Sequence, residues 1–363
     1  MRIAPAALVL ALGIGVSSMR AQLITLPPEP PASDMQQEAT APQSLQGRAA
    51  FLLLHAEYDE IDRLADRARS QKSRAIGGAW KLRRIYGGLA VPSGSNPEDH
   101  ITRLKLWIAA RPQSITAHVA LAGAYIKYAW VARGSGYADT VTPEGLRLFN
   151  ARIAEARSTL EDSANFTPMC PQWFSEMQTV ALAQGWDAKQ TADLFAKAVK
   201  FEPEYFYFYE SYANYLLPKW EGQPGDAAAF AKKSADAVGA QSGDQAGDFL
   251  YFEIAGVELQ GKNADANVKP SELDWQRLQR GHDALVALYG RTNNDDNELA
   301  LMAYRYRDIG VAKRQFAQIG EKWARSVWKT RASFDKARKW SDATDDPAAA
   351  GLRSAPGSST PIP

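Results

Sequence analysis

The sequence predicts an all-α fold, an α-solenoid built from antiparallel helix pairs. Helix signals follow one another from about residue 45 to about residue 341, whereas the alternating pattern of strands is almost absent. Several signals occur as two helices joined by a short turn, and pairs of this kind bury their apolar faces by stacking side by side. The region spans roughly 300 residues, which is enough for one long helical array.

The clearest helix pair is predicted within residues 171–203. One helix precedes a short turn at residues 185–187, and a second helix follows the turn and ends at Pro203. The second helix carries Phe195 and, three residues later, Ala198 on one apolar face. This spacing resembles the second helix of a tetratricopeptide repeat, a unit of about 34 residues in which an aromatic and a small residue precede a helix-ending proline. The predicted solenoid is therefore tetratricopeptide-like.

The helix predicted after Pro203 is unusually aromatic. Its rings lie all round a helix rather than along one stripe, which favours burial between neighbouring helices. The alternative is that some of the rings line a groove that binds a partner, and on this alternative Tyr205, Tyr209 and Tyr212 are candidate binding residues. The aromatic residues of this helix are Tyr205, Phe206, Tyr207, Phe208, Tyr209, Tyr212 and Tyr215.

Several other helix starts are predicted from their capping residues. Asn96 supplies a side-chain acceptor, and Pro97 fits the first helical position because a proline needs no donor there. Thr142 and Pro143 repeat this arrangement, and Ser114 is placed to begin another helix. These signals divide the region into helices of ordinary length.

The two ends of the chain differ in composition from this helical-repeat domain, which we place at residues 47–341. Residues 1–22 contain a basic residue and then an apolar run too short for the ~20 residues that span a bilayer, so we predict a signal peptide and a periplasmic or secreted protein. Residues 23–46 are rich in proline and are predicted to be a disordered linker. Residues 342–363 are predicted to be a disordered tail.

Charge and cysteine content exclude some classes of function. The formal net charge is +1, so nothing in the composition indicates binding to nucleic acid. Cys170 is the single cysteine, which rules out an internal disulfide, so packing alone has to hold an exported protein of this size together.

Four separated segments resemble a bacterial family known as domain of unknown function 4034. They are residues 53–89, 129–138 (AWVARGSGYA), 215–222 (YLLPKWEG) and 319–328 (IGEKWARSVW). The resemblance implies a helical, tetratricopeptide-like fold in exported or envelope-associated proteins. It implies no catalytic residue.

The residues themselves predict no metal, cofactor or catalytic site. The histidines lack any partner at the spacing of a metal motif, and no HExxH or CxxC occurs. A structural role is the favoured interpretation of His118, and a free, partly buried thiol is that of Cys170. The four histidines are His55, His100, His118 and His282.

Two functional hypotheses remain. The favoured one is an exported, non-catalytic helical-repeat scaffold that binds a peptide or protein partner on its concave face. The alternative is an envelope hydrolase with a site near the Arg133–Gly136 loop, which would use paired carboxylates such as those at residues 161–162 or 202–204. Trp130 and Arg133 beside that loop are the first candidate ligand contacts. The full set of candidate binding residues is Trp130, Arg133, Tyr205, Tyr209, Tyr212 and Trp220.

Residues 308–340 are predicted to form a basic amphipathic helix. An apolar stripe runs along it, and lysine and arginine occupy its other faces. We favour a cap that closes the end of the solenoid over peripheral contact with anionic lipid.

Overall fold

The computed structural model describes residues 44–92, 95–134, 141–260 and 272–342. Sixteen α-helices account for most of these residues. No β-strand occurs among them, and the extended pairing in this part of the chain is an isolated antiparallel bridge between Arg74 and Trp80. The predicted all-α fold class is confirmed. The predicted signal peptide, nearly all of the predicted linker and nearly all of the predicted tail lie outside the described residues.

The first eight helices are α1 (Leu45–Leu54), α2 (Tyr58–Ser70), α3 (Lys81–Leu89), α4 (Pro97–Ala110), α5 (Ile115–Arg133), α6 (Pro143–Asp162), α7 (Pro171–Gln184) and α8 (Ala188–Phe201). The other eight are α9 (Tyr207–Tyr215), α10 (Asp226–Ser242), α11 (Asp244–Gln260), α12 (Trp275–Tyr289), α13 (Asn293–Arg305), α14 (Ile309–Ile319), α15 (Arg325–Trp328) and α16 (Arg331–Asp342).

The predicted helix starts are confirmed at the atomic level. The Asn96 side chain accepts a hydrogen bond from the backbone N–H of Glu98 at 3.0 Å, with Pro97 at the first helical position. Thr142 and Ser114 cap α6 and α5 in the same way. Each cap satisfies a backbone donor that the helix itself leaves unpaired. Local sequence alone therefore sets where these helices begin.

The helix pair predicted in residues 171–203 is also present, as α7 and α8. Gly185 ends α7 in the left-handed region, at a φ of +65°, which glycine adopts without steric cost. Asp187 then begins α8 with a capping box that it shares with Gln190. On α8, Ala198 is fully buried, as its position on the apolar face predicts.

Alternate helices form one continuous row. Helix α5 contacts α7, α7 contacts α9, and α9 contacts α11, while α6, α8, α10 and α12 pack against members of this row. This arrangement brings side chains from α5, α7 and α9 onto a shared surface, although the three helices are well separated in sequence. The site described below lies on that surface.

Buried apolar side chains divide into two clusters. The first draws on residues 49–194, and the second on residues 198–337 together with Trp80. Trp80 is fully buried, and its indole N–H donates to the carbonyl of Glu204 at 3.2 Å. The guanidinium of Arg74 lies 4.3 Å from the centre of the Trp80 ring. The segment between α2 and α3 therefore belongs structurally to the second half of the chain.

The aromatic helix is part of this second cluster, as predicted. Tyr205 and Phe208 are fully buried, and Tyr209 is 4% exposed. The Tyr205 hydroxyl donates to the Gln172 side chain at 2.5 Å, and the Tyr209 hydroxyl donates to the Pro203 carbonyl at 3.2 Å. Because a buried tyrosine needs a partner for its hydroxyl, these bonds allow the rings to serve as core.

The prediction of one continuous helix over residues 308–340 is wrong. The chain forms three helices there, α14 to α16, with breaks at Gly320 (φ +59°) and Lys329 (φ +64°). The breaks fold the apolar stripe onto itself, so that Phe316, Trp328 and Phe334 contact one another within the second cluster. The role of this region as a cap of the solenoid, which we favour over contact with lipid, stays a prediction. Among the described helices, none combines the length and the apolar character needed to cross a membrane.

Candidate ligand-binding site

Three of the predicted binding residues lie together. The rings of Trp130 and Trp220 meet edge to face with their centroids 6.1 Å apart. The guanidinium of Arg133 lies 5.5 Å from the centre of the Trp130 ring. Trp130 is further supported by Phe149 of α6, whose ring centroid is 5.0 Å away. Residues about ninety positions apart in sequence thus form one aromatic cluster.

The other three predicted residues lie elsewhere. Tyr205 and Tyr209 are enclosed in the second cluster, as described above. Tyr212 stacks on Phe195 of α8, with ring centroids 4.6 Å apart, and it also contacts Phe230 of α10. These tyrosines therefore connect helices to one another.

A pocket of about 340 Å³ lies beside the two tryptophans. Its walls come from the ends of α5, α7 and α9 and from the turn that follows α9. The lining side chains are aromatic, amide, hydroxyl or aliphatic, and none of these lining residues carries a charge. They are Trp130, Gln178, Thr179, Leu182, Ser211, Asn214 and Trp220. We call this space the tryptophan pocket.

Trp220 is placed by a compact turn rather than by a helix. Its backbone N–H donates to the Leu217 carbonyl at 2.8 Å, and the N–H of Glu221 donates to the Tyr215 carbonyl at 3.2 Å. The turn then needs a glycine, because a Cβ at Gly222 would overlap the carbonyl oxygen of Leu216. Sequence reasoning selects Trp220 as a candidate but gives no sign of this turn.

Two polar atoms beside the tryptophan pocket lack hydrogen-bond partners. Gln178 is 5% exposed; its Nε2 donates to the carbonyl of Phe208 at 3.2 Å, whereas its Oε1 accepts nothing. The indole Nε1 of Trp220 is likewise buried without an acceptor. Buried polar atoms are nearly always paired, so an unmet acceptor and an unmet donor at one pocket call for an explanation. A ligand that offers both N–H and C=O groups would satisfy both atoms.

A second opening, which we call the Arg83 cleft, lies nearer the N-terminal ends of the same helices α5 and α7. It has a volume of about 390 Å³, and it is lined by Gln46 of α1, Arg83 and Tyr86 of α3, Gly123 of α5, Glu176 of α7 and Tyr207 at the start of α9, among others. The residues from α5 and α7 come from the N-terminal parts of those helices, whereas the tryptophan pocket takes residues from their C-terminal parts. The two helices therefore run in the same direction and carry both openings.

Arg83 and Glu176 form a loose ion pair in this cleft. The Arg83 Nη1 is 3.7 Å from Oε1 of Glu176, and the Arg83 side chain is 47% exposed. Gln172 donates to the same carboxylate oxygen at 2.6 Å. Burial is the main influence on Glu176 and raises its pKa, against the opposing effect of Arg83.

Three further partly buried glutamates, on α9, α11 and α13, interact with one another. Burial raises the pKa of Glu210 on α9 to about 7 and that of Glu298 on α13 to about 8. The pKa of Glu253 on α11 is raised well above its usual value, first by burial and then by repulsion from Glu210 and Glu298. Sequence reasoning missed this group because no local pattern links acids that lie about forty residues apart.

These raised pKa values predict a stability that falls with rising pH. An unfolded glutamate loses its proton near pH 4.3, so between about pH 4.5 and 8 the folded state holds protons that the unfolded state has lost. The stabilisation is complete below that window and is lost as the pH rises through the folded pKa values. Glu298→Gln should reduce the difference in melting temperature between pH 5.5 and pH 8.5 by about 4 °C, after allowance for partial exposure.

The control for this measurement is Glu144→Gln. Glu144 is fully exposed, and its pKa is lowered by a hydrogen bond from Arg147. Removing the Glu144 carboxylate should therefore leave the difference in melting temperature between pH 5.5 and pH 8.5 unchanged. An unaltered pH dependence in Glu298→Gln would contradict the raised pKa of that group.

Two of the buried histidines and the cysteine contact groups of the protein itself. His118 is 7% exposed and bonds to the Ser114 carbonyl at 2.9 Å, and His100 bonds to the Leu89 carbonyl at 2.8 Å. Cys170 is fully buried, with its Sγ 3.3 Å from the Tyr86 hydroxyl. Within the part of the chain that the structure describes, no three His, Cys, Asp or Glu side chains converge to hold a metal ion.

The family model described as a domain of unknown function, DUF4034, matches residues 48–181. This part of the chain is similar to that family. No curated protein and no solved structure matches the chain. The DUF4034 region ends within α7, so it supplies Trp130, Gln178 and Thr179 to the tryptophan pocket, while Ser211, Asn214 and Trp220 come from beyond it. Two of the segments on which the resemblance was based, residues 215–222 and 319–328, likewise lie outside the matched region.

Proposed function

We propose that the protein is an exported, non-catalytic helical-repeat scaffold, a tetratricopeptide-like solenoid that binds a peptide or protein partner in the tryptophan pocket. The observation that carries the proposal is the lining of this pocket. It combines two indole rings with amide and hydroxyl groups, and it contains no acid or base among the described residues. Such a surface can hold a ligand, but it offers no general acid or nucleophile of the usual strength.

An extended peptide fits the chemistry of the pocket. Its backbone N–H would meet the Oε1 of Gln178, and its C=O would meet the Nε1 of Trp220, which are the two unpaired atoms. An apolar side chain of the peptide would pack beside Trp130 and Trp220, which both line the pocket. Because both unpaired atoms are covered in this structure, a ligand would reach them only after the side chains above them move.

The hydrolase alternative lacks support at this site. Of the carboxylates named for it, Glu202 forms an ion pair with Lys72 at 2.9 Å, and Glu161 forms one with Arg157 at 2.8 Å. Neither residue lines the tryptophan pocket. Binding is therefore the function that the geometry favours.

Export rests on residues 1–22, which lie outside the described residues. We propose that they direct the chain to the periplasm or beyond. A reporter that is active only outside the cytoplasm, fused after residue 363, should be active with the whole chain and inactive when residues 1–22 are deleted.

Trp130→Ala should reduce capture of the partner from an envelope extract by at least about tenfold, because the truncation removes one wall of the pocket. The measurement is quantitative mass spectrometry of proteins retained by the immobilised full chain and by the variant. Val131→Ala is the matched control, since Val131 is the next residue on α5, is 66% exposed and does not line the pocket.

Only proteins that are lost with Trp130→Ala and kept with Val131→Ala count as partners. Melting curves followed by circular dichroism establish that both variants are folded. Equal retention of every protein by the two variants would show that the pocket is not the binding site.

A further inference from the structure

We infer that a further opening, which we call the Arg74 pocket, binds apolar monocarboxylates such as medium-chain fatty acids. It has a volume of about 200 Å³ and lies where residues 203–206 and the segment between α2 and α3 meet α10, α11 and α12. It shares no lining residue with the tryptophan pocket, so the inference is independent of the proposed function.

The walls of the Arg74 pocket are largely apolar. The ring centroid of Phe249 lies 5.6 Å from that of Phe206 and 5.1 Å from that of Tyr289. Leu288 is 43% exposed, so the apolar wall continues to the protein surface and a ligand can enter. The larger apolar or aromatic lining residues are Phe206, Val238, Phe249, Leu250, Leu288 and Tyr289.

The guanidinium of Arg74 is held in a fixed place at this pocket. It lies 5.7 Å from the centre of the Phe206 ring and 5.5 Å from that of the Tyr289 ring, in addition to its contact with Trp80. Its Nη1 donates to the carbonyl of Gly78 at 3.1 Å, and its Nη2 donates to that of Glu204 at 2.9 Å. Because an arginine has five N–H donors, these two bonds orient the group and leave donors for a ligand.

The positive charge of Arg74 is poorly compensated by the protein. Among the described residues, the one carboxylate oxygen within 4 Å of it is Oε2 of Glu204, at 3.8 Å, whereas charge-assisted hydrogen bonds measure about 2.8 Å. The Glu204 side chain is 62% exposed, and that of Arg74 only 12%. Burial accordingly lowers the pKa of Arg74. Since a loose, exposed pair contributes little, a ligand carboxylate can replace Glu204 at small cost.

The size and charge of the pocket together define the ligand. An apolar cavity of about 150 Å³ can hold benzene, so about 200 Å³ accommodates roughly eight carbon atoms. Arg74 is the one cation among the described lining residues, which matches a single carboxylate rather than a group of higher charge. Octanoate meets both conditions, with its chain against the rings and its carboxylate on the guanidinium.

The test is isothermal titration calorimetry of the purified full chain with octanoate and with 1-octanol. The two probes share an apolar chain, but only octanoate carries a charge for Arg74. Octanoate should bind at least about tenfold more tightly than 1-octanol, because a hydrogen bond to a charged group contributes more than a neutral one. Hexanoate should bind about fifteenfold more weakly than octanoate, since each buried methylene contributes about fourfold to the affinity.

Substitutions then locate the site. Ala246→Phe fills the Arg74 pocket without removing a wall, and it should weaken octanoate binding at least about tenfold. Ala229→Phe is the matched control, because Ala229 is exposed on α10 and does not line the pocket. Arg74→Gln should lower the affinity for octanoate to that for 1-octanol and leave the affinity for 1-octanol unchanged. Circular dichroism establishes that each variant is folded.

Three results would overturn the inference: no binding of octanoate, equal affinities for octanoate and 1-octanol, or full octanoate binding by Ala246→Phe. The last two measurements decide the question even where Arg74→Gln does not fold. Trp130→Ala should bind octanoate as the native chain does. A failure at the Arg74 pocket therefore leaves the proposed scaffold function in place.

Discussion

Replacing Asn297 with alanine should lower the free energy of unfolding by about 3 to 5 kcal/mol. Asn297 lies on α13 and is fully buried. Its Oδ1 accepts from the indole N–H of Trp328 at 2.8 Å and from the backbone N–H of Ala324 at 3.1 Å. Its Nδ2 donates to the Lys322 carbonyl at 3.2 Å. The substitution leaves two buried donors without an acceptor, and each costs about 1 to 3 kcal/mol.

Asn294→Ala is the matched control for this prediction. Asn294 lies on the same helix, but it is only half-buried and bonds to Ser326 and Glu298, where water can replace the lost contacts. We expect a loss of less than about 1 kcal/mol from this change. Urea denaturation of the two variants measures the difference. A cost for Asn297→Ala as small as that of its control would show that the connection between α14 and α15 does not depend on this amide.

Gly88→Ala should cost about 3 kcal/mol of stability, because α1 and α3 approach each other at this glycine. A Cβ at Gly88 would overlap the backbone carbonyl of Gln46, which cannot move without displacing α1. The alanine would otherwise favour the helix, since glycine in a helix interior costs roughly 1 kcal/mol. A loss of stability therefore reports the steric conflict directly. Thermal melting of the purified protein measures it.

Gly123→Ala provides the contrast. A Cβ there would meet no atom closer than Oε1 of Glu176 at 3.5 Å, an ordinary contact. We expect a gain of up to about 1 kcal/mol and a slightly narrower Arg83 cleft. If the two alanine variants melt at the same temperature, helix propensity rather than close packing governs both positions.

The elements that could be predicted from sequence are those whose causes are local. The caps at Asn96, Thr142 and Ser114 depend on atoms within three residues, and the turn at Gly185 depends on one backbone conformation. The buried aromatic helix was predictable because its rings point in all directions. The break at Lys329 was not, since a lysine gives no sign of a positive φ and the apolar stripe continues across it.

The candidate site was predictable in part. Trp130, Arg133 and Trp220 could be selected one by one, as aromatic or charged residues near glycine-containing turns, but their contact depends on how α5, α7 and α9 pack. Gln178 carried a usable signal, because it is an amide within the apolar sequence Met177–Leu182. The carboxyl groups of Glu210, Glu253 and Glu298 gave no signal, since their shared environment exists only after the helices assemble.

The contacts of Trp80 and Arg74 have a consequence for dissecting the chain. Both residues lie inside the DUF4034 region. The Trp80 indole is nevertheless enclosed by the second apolar cluster, and the Arg74 guanidinium donates to the Glu204 carbonyl at 2.9 Å. A fragment that ends at residue 181 would expose the Trp80 indole to solvent and leave the Arg74 guanidinium without the Glu204 carbonyl as its acceptor. The homology boundary is thus not a folding boundary, and recombinant fragments should retain the helices up to α16.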